Sequence, residues 1–125
     1  MNDNSNPVTH KLVDAISDAF NSNNIDQVMF FFADDAVFDH AAGPDIHGTS
    51  YIGAEAIRAV FGNMFERVES VKWESLDTRI EGNKAICQYR RTATFPSGEI
   101  HDCKTVDILT FRDEKIIRKS TVRHF

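Results

Sequence analysis

The sequence predicts an α+β domain: three N-terminal helices packed on one face of a curled, mainly antiparallel β-sheet. Two observations carry this. Apolar residues recur at helical spacing as far as Phe65, and from Val71 onward the pattern changes to strands. Turn signals then punctuate the second half at Glu81-Gly82-Asn83, Pro96-Ser97-Gly98 and Arg112-Asp113-Glu114. A chain of 125 residues is the size of one ordinary domain, and no linker, repeat or low-complexity tract divides residues 1–125.

Residues 1–6 are polar and expected to be disordered. Asn6 then reads as an N-cap with Pro7 at the first helical position. Leu12, Ile16, Ala19 and Phe20 form that helix's apolar stripe, and Asn21-Ser22-Asn23-Asn24 breaks it. Asn24 caps a second helix, with Gln27 three residues on as in a capping box. Ile25, Val28, Met29 and Phe32 supply its buried face. Val37 to His40 is a short strand, and residues 41–52 read as a Gly- and Pro-containing loop. Gly53 opens a third helix with Ile57, Val60, Phe61, Met64 and Phe65 on its apolar side. Four strands follow, over about 71–80, 84–95, 99–112 and 115–124.

Composition excludes several classes of function. The net charge is −5 and no basic run exceeds two residues, so the clustered Lys and Arg that nucleic-acid binding requires are missing. No stretch reaches the roughly 18 apolar residues of a membrane span. Met1 to Asn6 lacks both the basic and the apolar part of a signal peptide, which points to the cytoplasm. Cys87 and Cys103 are expected to be reduced, and the acidic neighbour Asp102 makes Cys103 a poor nucleophile.

The residues that can carry chemistry are few. Asp39 and His40 end the short strand, and alternation sends only one of them to the sheet interior. Either can act as a general base, His with its ordinary pKa and Asp if burial raises its own; the alternative is a loop cap and a satisfied histidine. Asp107 lies in the apolar strand Val106-Asp107-Ile108-Leu109-Thr110-Phe111, where an unpaired carboxylate is costly. A salt bridge to Arg90, Arg91 or Lys104, or exposure on the outer face, would remove that cost. His101 alternates with Cys103, Thr105 and Asp107, so it shares their face unless the hairpin start leaves it exposed. One of Arg90 and Arg91 must face inward, where it can balance Asp107 or meet an anionic ligand. His40, His47, His101 and Asp102 fit no compact metal-ligand spacing, and no metal is expected.

The stretch Phe32-Ala33-Asp34-Asp35-Ala36-Val37-Phe38-Asp39-His40, followed by Gly43-Pro44-Asp45-Ile46-His47-Gly48 and Gly53-Ala54-Glu55-Ala56-Ile57-Arg58, resembles the nuclear-transport-factor-2-like superfamily. Within it, the resemblance is to the branch of SnoaL-like polyketide cyclases and ketosteroid-isomerase-like proteins. This implies a cone-shaped, cystatin-like fold around one small-molecule pocket, with Ile16, Phe20, Phe38, Phe61, Tyr89, His101 and Leu109 along its wall. It also implies a homodimer, no cofactor, and a small hydrophobic molecule as partner. The catalytic aspartate of ketosteroid isomerases falls on His40, or on Asp39 if the register slips by one. Their second aspartate, a protonated donor to the oxyanion, falls on Asp107. Their first-helix tyrosine falls on Ile16, so steroid isomerisation is disfavoured. The implied activity is that of a cofactor-independent lyase, isomerase or cyclase on a hydrophobic carbonyl compound. The alternative is a non-catalytic ligand-binding or dimerisation module.

Overall fold

The computed structural model describes residues 7–40 and 48–124. The expected disorder of residues 1–6, the Asn6 cap and His47 fall outside them. The first helix, α1 (His10–Asn21), starts later than the Asn6-Pro7 signal suggested, because the Thr9 side chain accepts from the Leu12 amide and serves as the N-cap. Helix α2 (Ile25–Met29) is a single short turn capped by Asn24, whose Oδ1 accepts from Asp26 and Gln27. The third helix, α3 (Ala54–Arg67), opens at Gly53 with φ 93°, a left-handed value that suits glycine.

Two differences from the sequence reading lie between α2 and α3. Strand β1 (Phe32–His40) begins five residues before Val37, so Phe32 belongs to a strand and not to the face of α2. The cause is long-range: Phe31 accepts from the Ile116 amide at 2.7 Å, and Phe32 pairs in parallel with Ile116. Strand β2 (Thr49–Ile52) occupies part of the expected loop, because β1 offers it an unpaired edge from Val37 to His40. The remaining strands, β3 (Ser70–Glu81), β4 (Lys84–Thr94), β5 (Ile100–Arg112) and β6 (Lys115–His124), lie within one residue of expectation.

The six strands form one sheet in the order β2-β1-β6-β5-β4-β3. Every pairing is antiparallel except β1 with β6. Buried residues of the helices (Val13, Ile16, Phe20, Val28, Ile57, Phe61) join Phe38, Ala85, Tyr89, Leu109, Phe111 and Ile116 of the sheet in one core. Phe20 sits edge-on to Phe61 and Trp73, at centroid distances of 5.3 and 5.4 Å.

The asparagines that end α1 do more than break it. Asn21 donates to the Trp73 carbonyl and accepts from the Trp73 amide, and Asn23 does the same with Val71. Two side-chain amides thus take the place of a neighbouring strand along part of the β3 edge.

One irregularity decides what faces the helices. Along β5 and β6, Phe111 pairs with Ile116 but Thr110 pairs with Arg118, so Ile117 is an extra residue. Such a bulge flips the side-chain parity of the strand beyond it. Lys119, Thr121 and Arg123 therefore point the same way as the buried Ile116, while Arg118, Ser120 and Val122 point outward.

Candidate functional site

Cross-strand register assembles the site. His40 of β1, Thr121 of β6, Asp107 of β5 and Cys87 of β4 lie in one row across the inner face. Phe38, Lys119, Leu109 and Ala85 form the row on one side, and Arg123, Thr105 and Tyr89 the row on the other. Arg91 and Cys103 come next. Four strands thus contribute a polar band to a sheet face otherwise covered by aromatic helix residues.

The deepest part of this band is a closed set of bonds. Lys119 Nζ donates to Thr121 Oγ1 at 2.6 Å, Thr121 donates to Asp107 Oδ1 at 2.8 Å, and Asp107 Oδ2 lies 3.4 Å from Lys119 Nζ. The ammonium is also 5.1 to 5.9 Å from the ring centres of Phe38, Phe20 and Phe61. Burial pushes the Lys119 pKa down, against the pull of Asp107. A void of about 20 Å³, room for no more than a water, separates Lys119 and Asp107 from Ile16, Ser17, Phe20, Tyr89 and Leu109.

His40 stands at the boundary between this deep region and an open cleft. Its ring stacks on Phe38 with centroids 5.4 Å apart, and its Nε2 is buried without a hydrogen-bond partner among the described residues. Burial, then the charges of Arg123, Lys119 and Arg91, push its pKa down to about 4, so the imidazole is neutral at pH 7. The cleft has a volume of about 670 Å³ and is walled by Phe38, Tyr51, Val60, Phe61, Met64 and Phe95, with His40, Arg91, His101 and Arg123 among its polar groups. A second hollow of about 520 Å³, bordered by Asp18, Asp26 and Phe30 on α1 and α2, contains none of these groups.

The structure brings together most of the residues that the sequence singled out. His40 and Asp107 border one small void with Phe20, Phe38 and Phe61. Phe38, Phe61 and His101 line the cleft, while Ile16, Phe20, Tyr89 and Leu109 line the deep void. Tyr89 shares a 2.7 Å hydrogen bond with Ser17, and burial raises its pKa. His101 is exposed, packs on Phe95 and sits 3.3 Å from Glu99.

Asp39 is on the other face. Its carboxylate accepts from Ser50 at 2.6 Å, Arg118 at 2.8 Å and Ser120 at 3.1 Å. Partial burial works to raise its pKa, but those bonds outweigh it and hold the carboxyl below its ordinary value. As a candidate base Asp39 is therefore withdrawn, because strand alternation gives the inner position to His40. The partner of Asp107 is Lys119, not Arg90, Arg91 or Lys104: Arg90 and Lys104 point outward, and β6 is the neighbour that reaches the carboxylate. Cys87 and Cys103 are both free and buried.

Lys119, Thr121 and Arg123 are the site residues that sequence reasoning missed. The available signal was that Arg118 to Arg123 is polar in both phases of the strand, so some polar groups had to turn inward. Among the described residues no three His, Cys, Asp or Glu side chains come together to hold a metal, and no helix is long and apolar enough to cross a membrane.

Comparisons with known proteins agree on the architecture. Residues 13–119 match the SnoaL-like domain family. No curated protein matches the chain. Among solved structures, a protein with a ketosteroid-isomerase-like fold from Catenulispora acidiphila, in complex with trimethylamine, superposes with a TM-score of 0.79 at 17% identity, over 92% of this chain and 86% of that one. An NTF2-like protein of unknown function from Burkholderia pseudomallei gives 0.78 at 16% identity, over 91% and 88%. TerC, co-crystallised with polyporic acid, gives 0.77 at 16% identity, over 91% and 89%.

Proposed function

The chain belongs to the SnoaL-like domain family, and from that footing we propose that it performs cofactor-independent acid–base chemistry on a hydrophobic carbonyl compound, as a lyase, isomerase or cyclase. The observation that carries this reading is His40, a neutral imidazole at the edge of an aromatic-walled cleft, whose buried Nε2 has no hydrogen-bond partner among the described residues. In the proposed step, Nε2 takes a proton α to the substrate carbonyl, and the electron pair of that C–H bond moves into an enolate. Burial does most to keep His40 neutral, and the charges of Arg123, Lys119 and Arg91 that add to it also favour the enolate. The imidazolium then returns its proton to another atom of the bound compound.

Asp107 takes a different part from the oxyanion donor that the family resemblance suggested. Its bonds to Thr121 and Lys119 are those of an acceptor, so we assign it the positioning of Lys119. The reading also takes the sheet to curve around the cleft and the protein to work in the cytoplasm, where two free cysteines are at home. A homodimer would form across the outer sheet face, where Ile86 pairs with Ile108 and Val106 with Val122, leaving Ile108 and Val122 exposed.

The second reading, a ligand-binding module without catalysis, is favoured by Ile16, which cannot donate to an oxyanion, and by the closed Asp107–Lys119–Thr121 set. The two are separated with 2-tetralone, an uncharged aromatic ketone with exchangeable α-protons, in D₂O. The wild type is expected to accelerate α-proton exchange seen by NMR, and His40→Ala to reduce that acceleration by about 100-fold or more while still binding the ketone. Binding without acceleration by the wild type would favour the non-catalytic module.

A further inference from the structure

In a chain of net charge −5, the cleft runs against the overall balance. Its described lining includes Arg67, Arg91, Arg123, His40 and His101 but neither Asp nor Glu. The nearby carboxylate of Asp107 is already engaged by Lys119 and Thr121. Glu99 meets His101 and Arg67 is exposed, so neither bears on the interior.

That leaves two guanidinium groups. Arg91 is only 6% exposed, packs 5.6 Å from the centre of the Trp73 ring, and places Nη2 3.3 Å from Met64 Sδ, a weak acceptor. Its Nε is buried and finds no hydrogen-bond acceptor among the described residues, and the same is true of the Nε of Arg123. Burying donors without acceptors is costly, and burying like charges beside each other adds to the cost. Among the described residues, both groups line one aromatic cleft with no free anion beside them to pair with. A carboxylate fits best: it is planar, carries two acceptor oxygens, and matches the guanidinium fork. The apolar walls of the cleft then take the rest of the molecule.

On the basis of the cleft assigned above, we propose that the ligand is an aromatic or otherwise apolar carboxylate whose carboxylate group is held by Arg91 and Arg123, with its body against Phe38, Phe61 and Phe95. One cleft then both recognises charge and moves a proton. Arg91 and Arg123 anchor the compound, and His40 addresses a position α to its carbonyl.

The test uses a pair of probes that differ only in charge, 2-naphthoate and the isosteric 2-naphthamide, titrated calorimetrically into the wild type, Arg91→Gln and Arg123→Gln. Thermal melts of each protein accompany the titrations. The wild type is expected to prefer the carboxylate by about 10-fold or more, and each substitution to remove most of that preference while leaving the amide unchanged. If Arg91→Gln does not fold, Arg123→Gln carries the test alone. Equal binding of the two probes, a preference that survives in folded Arg123→Gln, or no binding of 2-naphthoate at millimolar concentration would overturn the proposal. 2-Naphthoate has no α-proton and 2-tetralone has no charge. Loss of the carboxylate preference with intact His40-dependent exchange therefore refutes the anchor alone, and the reverse result refutes the acid–base reading alone.

Discussion

Arg90 and Arg91 are neighbours in the chain and opposites in the fold. Arg90 lies on the outer face, exposed, with a two-pronged bond to Asp102 at 3.0 and 2.6 Å. Arg91 lies on the inner face, buried, without a carboxylate partner among the described residues. Asp39 and His40 repeat the contrast on β1, three strands across the sheet: the first is satisfied by three outer-face donors, and the second keeps inside a ring nitrogen with no partner among the described residues. On the outer face, charges are paired where water already screens them, which adds little to stability. On the inner face, charges are held where they cost most, which makes sense if a ligand completes them.

The sharpest way to break this contrast is at the closed inner-face ion pair of Asp107 and Lys119. Asp107→Ala strands the Lys119 ammonium among three Phe rings and is expected to cost about 3–5 kcal/mol in urea denaturation. Replacing both partners by apolar residues, Asp107→Leu with Lys119→Met, is expected to recover most of that loss. A double variant no more stable than Asp107→Ala would show that the pair does more than satisfy itself.

His40 gives a smaller effect with a defined sign. Its folded-state pKa of about 4 lies below the ordinary 6.5, so the unfolded chain takes up this proton first as the pH falls. Stability is then lost from about pH 6.5 down to about 4 and levels off below. Between pH 7 and 5 the contribution is about 1–2 kcal/mol after allowance for partial exposure. Denaturation of wild type and His40→Gln at both pH values isolates it; identical pH dependence in the two proteins would show that His40 titrates normally.

The adjacent arginines sharpen the comparison further. Arg90→Ala is expected to leave the urea midpoint almost unchanged. Arg91→Met is expected to hold or raise ligand-free stability, because it removes a buried charge beside Arg123. Marked destabilisation by Arg91→Met would mean that Arg91 serves the core and not a ligand. Smallest in stability is Ile108→Lys on the outer face, which is expected to change assembly alone. Light scattering should give a dimer for the wild type and a monomer for the variant; a monomeric wild type at micromolar concentration would remove the proposed interface.

Much of this protein was determined by its sequence. Periodicity set the helices and the four late strands, since helical and two-residue patterns are local and robust. Alternation required that one of Asp39 and His40, and one of Arg90 and Arg91, face inward, and an aspartate inside Val106 to Phe111 marked its strand. Which member of each pair turned in was a tertiary matter, fixed by register against neighbours. The early start of β1, the existence of β2 and the strand-like bonding of Asn21 and Asn23 to β3 all depend on partners far along the chain. The same holds for Lys119, Thr121 and Arg123. Their inward position follows from one extra residue, Ile117, in the pairing of β6 with β5. A bulge has no reliable local signature, yet it reverses every side chain beyond it, and here it brings the cationic side of the site into the cleft.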